Sequence, residues 1–193
     1  MSSSVAWQRE AARVARLTDR LGKGIDAGIL DTVIALRLSG IHTVSSCEGH
    51  LNWGVGAPWV SMAAPPDDRL LRWEDQLSEA SGDADDLAAK GGATEAIEAA
   101  YRRMHQARLA AKAVHLEVSG RALALLGEYY DLASGPTERR LILTMLGNGR
   151  ARLQSQGADF QEVRPEDQRA HKLLEYQQEM SAFTAFLKGK LQM

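Results

Sequence analysis

The residues best equipped for chemistry lie in one stretch, Ser39 to Met62, which reads SGIHTVSSCEGHLNWGVGAPWVSM. It holds the only cysteine of the chain, two of its five histidines, two of its four tryptophans and four glycines. Cys47 can serve as a thiolate nucleophile if His50 or a nearby positive charge lowers its pKa. Cys47 and His50 also stand three positions apart, a spacing that two ligands of one zinc or iron ion can share. Glu48 would then act as a general base beside them. Cys47, Glu48 and His50 are therefore the candidate catalytic residues. Ser46, Gly49 and Asn52 are candidate ligand-binding positions, with Asn52 orienting the ligand. Trp53 and Trp59 offer flat faces for stacking a ring. The glycines allow backbone N–H groups to approach an anion. No complete ligand set is visible, so the metal and any other cofactor are unknown at this level.

Each residue also has a plain structural role. A single cysteine among small residues is a buried small hydrophobe. A histidine in a loop is a surface hydrogen-bonding group, and tryptophans near strand ends are lids on a core. What argues for a site is their concentration within a few residues on one glycine-rich turn.

The elements that must position this turn follow from pattern. Ile41 to Ser46 is short and rich in β-branched and small residues, and Ser39-Gly40 closes a preceding helix. Gly49 permits a positive φ and thus a sharp turn after Cys47. Residues 58–62 read as a second strand. Upstream, helices are predicted at 5–21 and 26–39. The second is apolar over so much of its circumference that it must lie against a sheet. Downstream, Pro66 and Asp67 open a helix over 67–80, and the acidic stretch 81–92 reads as a solvated linker. Residues 94–133 form a long helix whose apolar positions recur at helical steps. Gly120 and Gly127 weaken it by about 1 kcal/mol each and mark a kink or a close helix contact. His105 and His115 sit about 80° apart on it, so they are no ligand pair. Residues 139–146 and 150–155 read as a hairpin around Gly147-Asn148-Gly149. Arg140, Arg150 and Arg152 lie on it, either as a phosphate-contacting patch or as a solvated outer face. Pro165 starts a last helix over 165–188. The expected fold is a helix-rich α+β domain over 1–193. A sheet of about four strands packs with long helices, and a helical segment, 67–133, separates the two strand pairs.

The motif residues carry a resemblance. Gly40 to His50, followed by Ala57-Pro58-Trp59-Val60, resembles a stretch of uncharacterised small bacterial and phage proteins with the pattern G-x-x-T-x-x-S-C-x-G-H and then P-W-[VI]. It spans about 25 residues and implies a shared site without a named activity. A fainter similarity links Ser46-Cys47 and Gly49 to the S-C-S-G-R of wybutosine-pathway tRNA methyltransferases. There Glu48 replaces a serine and His50 an arginine, so that arginine's grip on an anion does not carry over.

Composition bounds the rest. Of the 193 residues, 45% are hydrophobic and 25% charged, enough for a real core. A net charge of −2 gives no global field toward nucleic acid or an anionic membrane, which leaves nucleic acid an open partner. One cysteine excludes an internal disulfide. No apolar run approaches the roughly 20 residues of a membrane span, and a cytoplasmic location is expected. The stripes on the two long helices can pair with each other or build a homodimer. Three functional readings remain: a binding protein for a nucleotide-like or other small polar molecule, a small hydrolase or transferase with or without a metal, and a helical interaction protein. Binding comes first, because no full catalytic set can be counted.

Overall fold

The computed structural model describes residues 3–52, 54–147 and 149–192. Trp53 and Asn148, the centre of the predicted hairpin turn, lie outside the described residues. Along the chain run helix α1 (Ser3–Val14), helix α2 (Ala27–Leu38), strands β1 (Thr43–Cys47) and β2 (Trp59–Met62), and helices α3 (Asp68–Ala89) and α4 (Thr94–Leu132). Strands β3 (Leu141–Gly147) and β4 (Arg150–Ser155) and helix α5 (Glu166–Gln192) complete it, with 3-10 turns at Thr137–Arg139 and Gln156–Val163. The four strands make one antiparallel sheet in the order β1-β2-β4-β3. This is the helix-rich α+β fold expected from the pattern.

The chain divides into two compact units. One comprises the chain up to Ala63 and from Val118 onward; the other is Ala64–Glu117. In the first unit, alternation along the strands separates two faces. Val60, Met62, Ala151 and Leu153 point into the core, where they meet Ile29, Val33 and Leu36 of α2 and Met180, Phe183 and Leu187 of α5. Each of the larger of these side chains, when fully buried, contributes about 1.5–3 kcal/mol. The opposite face carries Trp59 and Ser61 of β2 beside Gln154 and Arg152 of β4. The nearly all-apolar α2 buries Ile29, Thr32, Val33, Ile34, Ala35 and Leu36, which explains why it shows no polar stripe. α5 likewise buries its whole stripe, Leu173, Tyr176, Met180, Phe183 and Leu187, within this chain.

In the second unit α3 and the first part of α4 run antiparallel. Arg69 donates twice to the Glu117 carboxylate, at 3.1 and 2.7 Å, and Arg103 reaches Asp83 at 3.1 Å. Ala80, Ala84, Ala100, Ala107 and Ala111 are buried, so small side chains form the seam of this unit.

Two helix ends and the role of two glycines differ from expectation. α1 stops at Val14, its last core residue, while Leu17 and Leu21 are exposed. The cause is Asp19, whose Oδ1 accepts the N–H groups of Leu21 and Lys23 at 2.8 and 2.9 Å and so builds a turn. α3 continues through the acidic stretch read as a linker, because Ala80 and Ala84 lie at helical spacing and are buried. Gly120 and Gly127 lie in one continuous helix, and a Cβ at either would meet nothing within 4 Å, so neither serves a close contact. No helix of the described residues is long and apolar enough to cross a membrane.

Candidate metal centre

The site forms where the end of β1 meets the start of α2. Helix ends leave N–H groups without intrahelical partners. Asp26 occupies the N-cap position of α2, yet its side chain makes no capping bond. Glu48 caps the helix instead, its Oε2 accepting the Gly28 N–H at 2.7 Å. Gly28 has no Cβ, and one there would lie 2.7 Å from Glu48 Oε2. Asp26 is thereby released to face the strand end. Its Oδ1 lies 2.9 Å from Lys23 Nζ, and its Oδ2 accepts the Glu48 backbone N–H at 3.4 Å.

The turn after Cys47 requires glycine. Gly49 has φ +84°, and a Cβ there would lie 2.7 Å from the Ala57 carbonyl carbon and 2.9 Å from Pro58 N. The turn is anchored on both sides: Gln177 Nε2 of α5 donates to the Glu48 carbonyl at 3.1 Å, and the His50 N–H donates to the Val55 carbonyl at 3.2 Å. It brings His50 back toward Asp26, with Nε2 at 3.6 Å from Oδ2.

Asp26, Cys47 and His50 each present one donor atom, and the three atoms lie within 4.8 Å of one another. Cys47 is buried and the other two are half-buried. Donors around a tetrahedral zinc, at Zn–S about 2.3 Å and Zn–N or Zn–O about 2.0 Å, stand about 3.3–3.6 Å apart. The His50–Asp26 edge, at 3.6 Å, already fits this spacing, and the triangle as a whole would close by up to about 1.3 Å around an ion. Its mixed sulfur, nitrogen and oxygen character suits a zinc-like ion and not magnesium or calcium, which take oxygen ligands. Three protein donors leave one position for a ligand.

The arrangement argues against a free thiolate nucleophile. Burial raises the Cys47 thiol pKa; the Gly49 N–H at 3.4 Å acts against this, and the Asp26 charge reinforces it. The three donor atoms form a triangle, whereas a Cys–His–Asp relay needs the two ring nitrogens of histidine pointed at different partners. For Asp26, burial pushes the pKa up, but the Lys23 and Glu48 hydrogen bonds and the Lys23 charge outweigh it and hold the carboxyl below its ordinary value. It is a carboxylate at neutral pH, ready to ligate.

The residues singled out in the sequence are distributed unequally. Cys47 and His50 come together. Glu48 turns away to cap α2. Ser46 pairs with Val60 and Cys47 with Trp59 across the β1–β2 ladder. Asn52 is exposed, and Trp53 is outside the described residues. Arg140 and Arg150 are exposed, and the Arg140 guanidinium lies 4.5 Å over the Tyr130 ring. His105 is exposed, and His115 Nδ1 accepts the Ala64 N–H at 3.4 Å. Asp26 was not legible as a ligand. An aspartate before an apolar run reads as a helix cap, and only the capping bond from Glu48 shows that the role is already filled. Compared with known proteins, the chain matches no family model, no curated protein and no solved structure.

Proposed function

We propose that this protein binds a divalent transition metal, zinc fitting best, through Asp26, Cys47 and His50, and holds a small polar ligand at the remaining position. The observation that carries this reading is the convergence of three unlike donors from two elements on one point, within 4.8 Å. Binding is preferred over hydrolase or transferase chemistry because Glu48, the nearest candidate base, is already bonded to the Gly28 N–H at 2.7 Å. Elemental analysis of the purified full chain after zinc loading and gel filtration tests the reading. One metal per chain is expected, with near-complete loss in Cys47→Ser, Asp26→Asn and His50→Ala. Cobalt(II) loading adds a direct signature, because a thiolate ligand gives a ligand-to-metal charge-transfer band that vanishes in Cys47→Ser. Circular dichroism checks that the variants fold. A folded wild-type protein that retains no metal, or a cobalt band unchanged in Cys47→Ser, would overturn it.

A further inference from the structure

The polar face of the sheet begins beside the metal ligands. Cys47 pairs with Trp59, and Trp59 with Gln154; Ser61, the next-but-one residue along β2, pairs with Arg152. Directly opposed residues in an antiparallel pair carry their side chains on the same face, with Cβ atoms about 4.5–5.5 Å apart. Trp59 is therefore the cross-strand neighbour of Cys47, and Arg152 stands on the diagonal from Trp59.

Two features of this pair call for a ligand. The Arg152 guanidinium lies 4.4 Å over the Trp59 ring, a stacking that holds the group against the indole. Among the described residues Arg152 is half-buried and has no carboxylate partner within 4.0 Å. Asp159, the acid on this side of β4, instead accepts the Gln154 amide at 3.0 Å. In addition, Arg152 Nε and Trp59 Nε1 are both buried and lack a hydrogen-bond partner among the described residues. Buried donors without acceptors are costly, and a charged one more so.

We infer that Trp59 and Arg152 form an oxyanion subsite beside Cys47, and that the ligand held at the metal carries a phosphate or carboxylate group. Two N–H donors and one positive charge suit an anion with several acceptor oxygens, and the planar guanidinium suits a bidentate grip. Trp59 also supplies an apolar wall to that group. The placement of this anion next to a metal rests on the reading above; the subsite itself does not, because its donors belong to the sheet alone.

The test separates the two. Inorganic phosphate, and acetate in a parallel series, is titrated into the chelator-treated full chain while the nitrogen–proton NMR signals of Trp59 Nε1 and Arg152 Nε are followed. Trp59→Phe and Arg152→Gln assign these signals. Saturable shifts of both signals with at least one anion are expected, and Arg152→Gln weakens binding by about ten-fold or more. Arg140→Gln, which removes another ring-stacked but exposed arginine, leaves binding unchanged. If Arg152→Gln fails to fold, Arg152→Lys, which keeps the charge and loses the fork, replaces it and is expected to bind several-fold more weakly. A protein that takes no metal yet shows these shifts removes the metal reading and leaves the subsite standing. If neither anion moves the two signals, or if Arg140→Gln weakens binding as much as Arg152→Gln, the subsite is wrong even when metal is bound.

Discussion

Single residues decide whether the turn can exist. Gly49 adopts φ +84° against the backbone of Ala57 and Pro58, so an added methyl meets atoms that cannot rotate away. Gly49→Ala is expected to destabilise the chain by about 2–4 kcal/mol, from the positive φ and the clash together. Urea unfolding followed by circular dichroism measures it, and a loss below about 0.5 kcal/mol would show that the turn relaxes freely. This residue was readable in advance: a glycine between Cys47 and His50 announces a sharp turn. Glu48 shows the opposite case. Its proximity to Cys47 and His50 in sequence suggested a shared site, but a long, flexible side chain reaches whatever donor lies nearest. Here that donor is the Gly28 N–H, some twenty residues upstream.

At the scale of elements, a buried carboxylate ties three segments together. Glu179 of α5 accepts from Tyr129 Oη at 3.2 Å, from Tyr130 Oη at 3.0 Å and from Arg139 Nε at 2.9 Å. Burial and the Glu179 charge push the Tyr129 phenol up to about 12 and raise Tyr130 as well. Because the folded state holds the Tyr129 proton more tightly than the unfolded chain, its contribution is complete below pH 10 and is lost as pH climbs from 10 toward 12, while that of Tyr130 persists to higher pH. Tyr129→Phe should cost about 1–2 kcal/mol at neutral pH, and its deficit against the wild type should shrink through that alkaline window. Urea unfolding at a series of pH values reports the deficit; a constant value would refute the linkage. The strands were legible from alternation and the helices from period. The ends of α1 and α3 were not. Apolar Leu17 and Leu21 continued the helical pattern past the point where Asp19 captures the backbone. The acidic run of α3 hid two buried alanines behind its charge. Both failures arise because burial depends on partners distant in sequence.

For the whole molecule, the division into two units makes Ala64–Glu117 a helical insertion in a chain whose other unit is assembled from both flanks. Within the insertion, α3 and α4 are joined at Lys90-Gly91-Gly92-Ala93, where Lys90 and Gly91 are exposed and Gly91 has φ +67°. Exposed, glycine-containing tips are where proteases act first. Limited trypsin treatment is expected to cut after Lys90 before any other site, with mass spectrometry identifying the two fragments. Since all three proposed metal ligands belong to the other unit, the nicked protein should keep its metal. An early cut within 118–132 would instead show that α4 opens before its connecting turn.

The contact between Gly28 and Glu48 has a consequence in heredity. A methyl at position 28 would sit 2.7 Å from the carboxylate oxygen that caps α2 and 3.3 Å from the Glu48 Cβ, so position 28 cannot gain a side chain without moving the cap, whereas position 48 can shorten beside glycine. Mutations there should be conditionally neutral: Gly28→Ala harmful beside glutamate, and tolerated beside a shorter residue. A double-mutant cycle of Gly28→Ala with Glu48→Ser should yield a coupling of about 1 kcal/mol or more, and additive effects would dissolve the constraint. Among descendants of this sequence, the two positions are expected to change in order, and a lineage that loses glycine at 28 will already have shortened the side chain at 48.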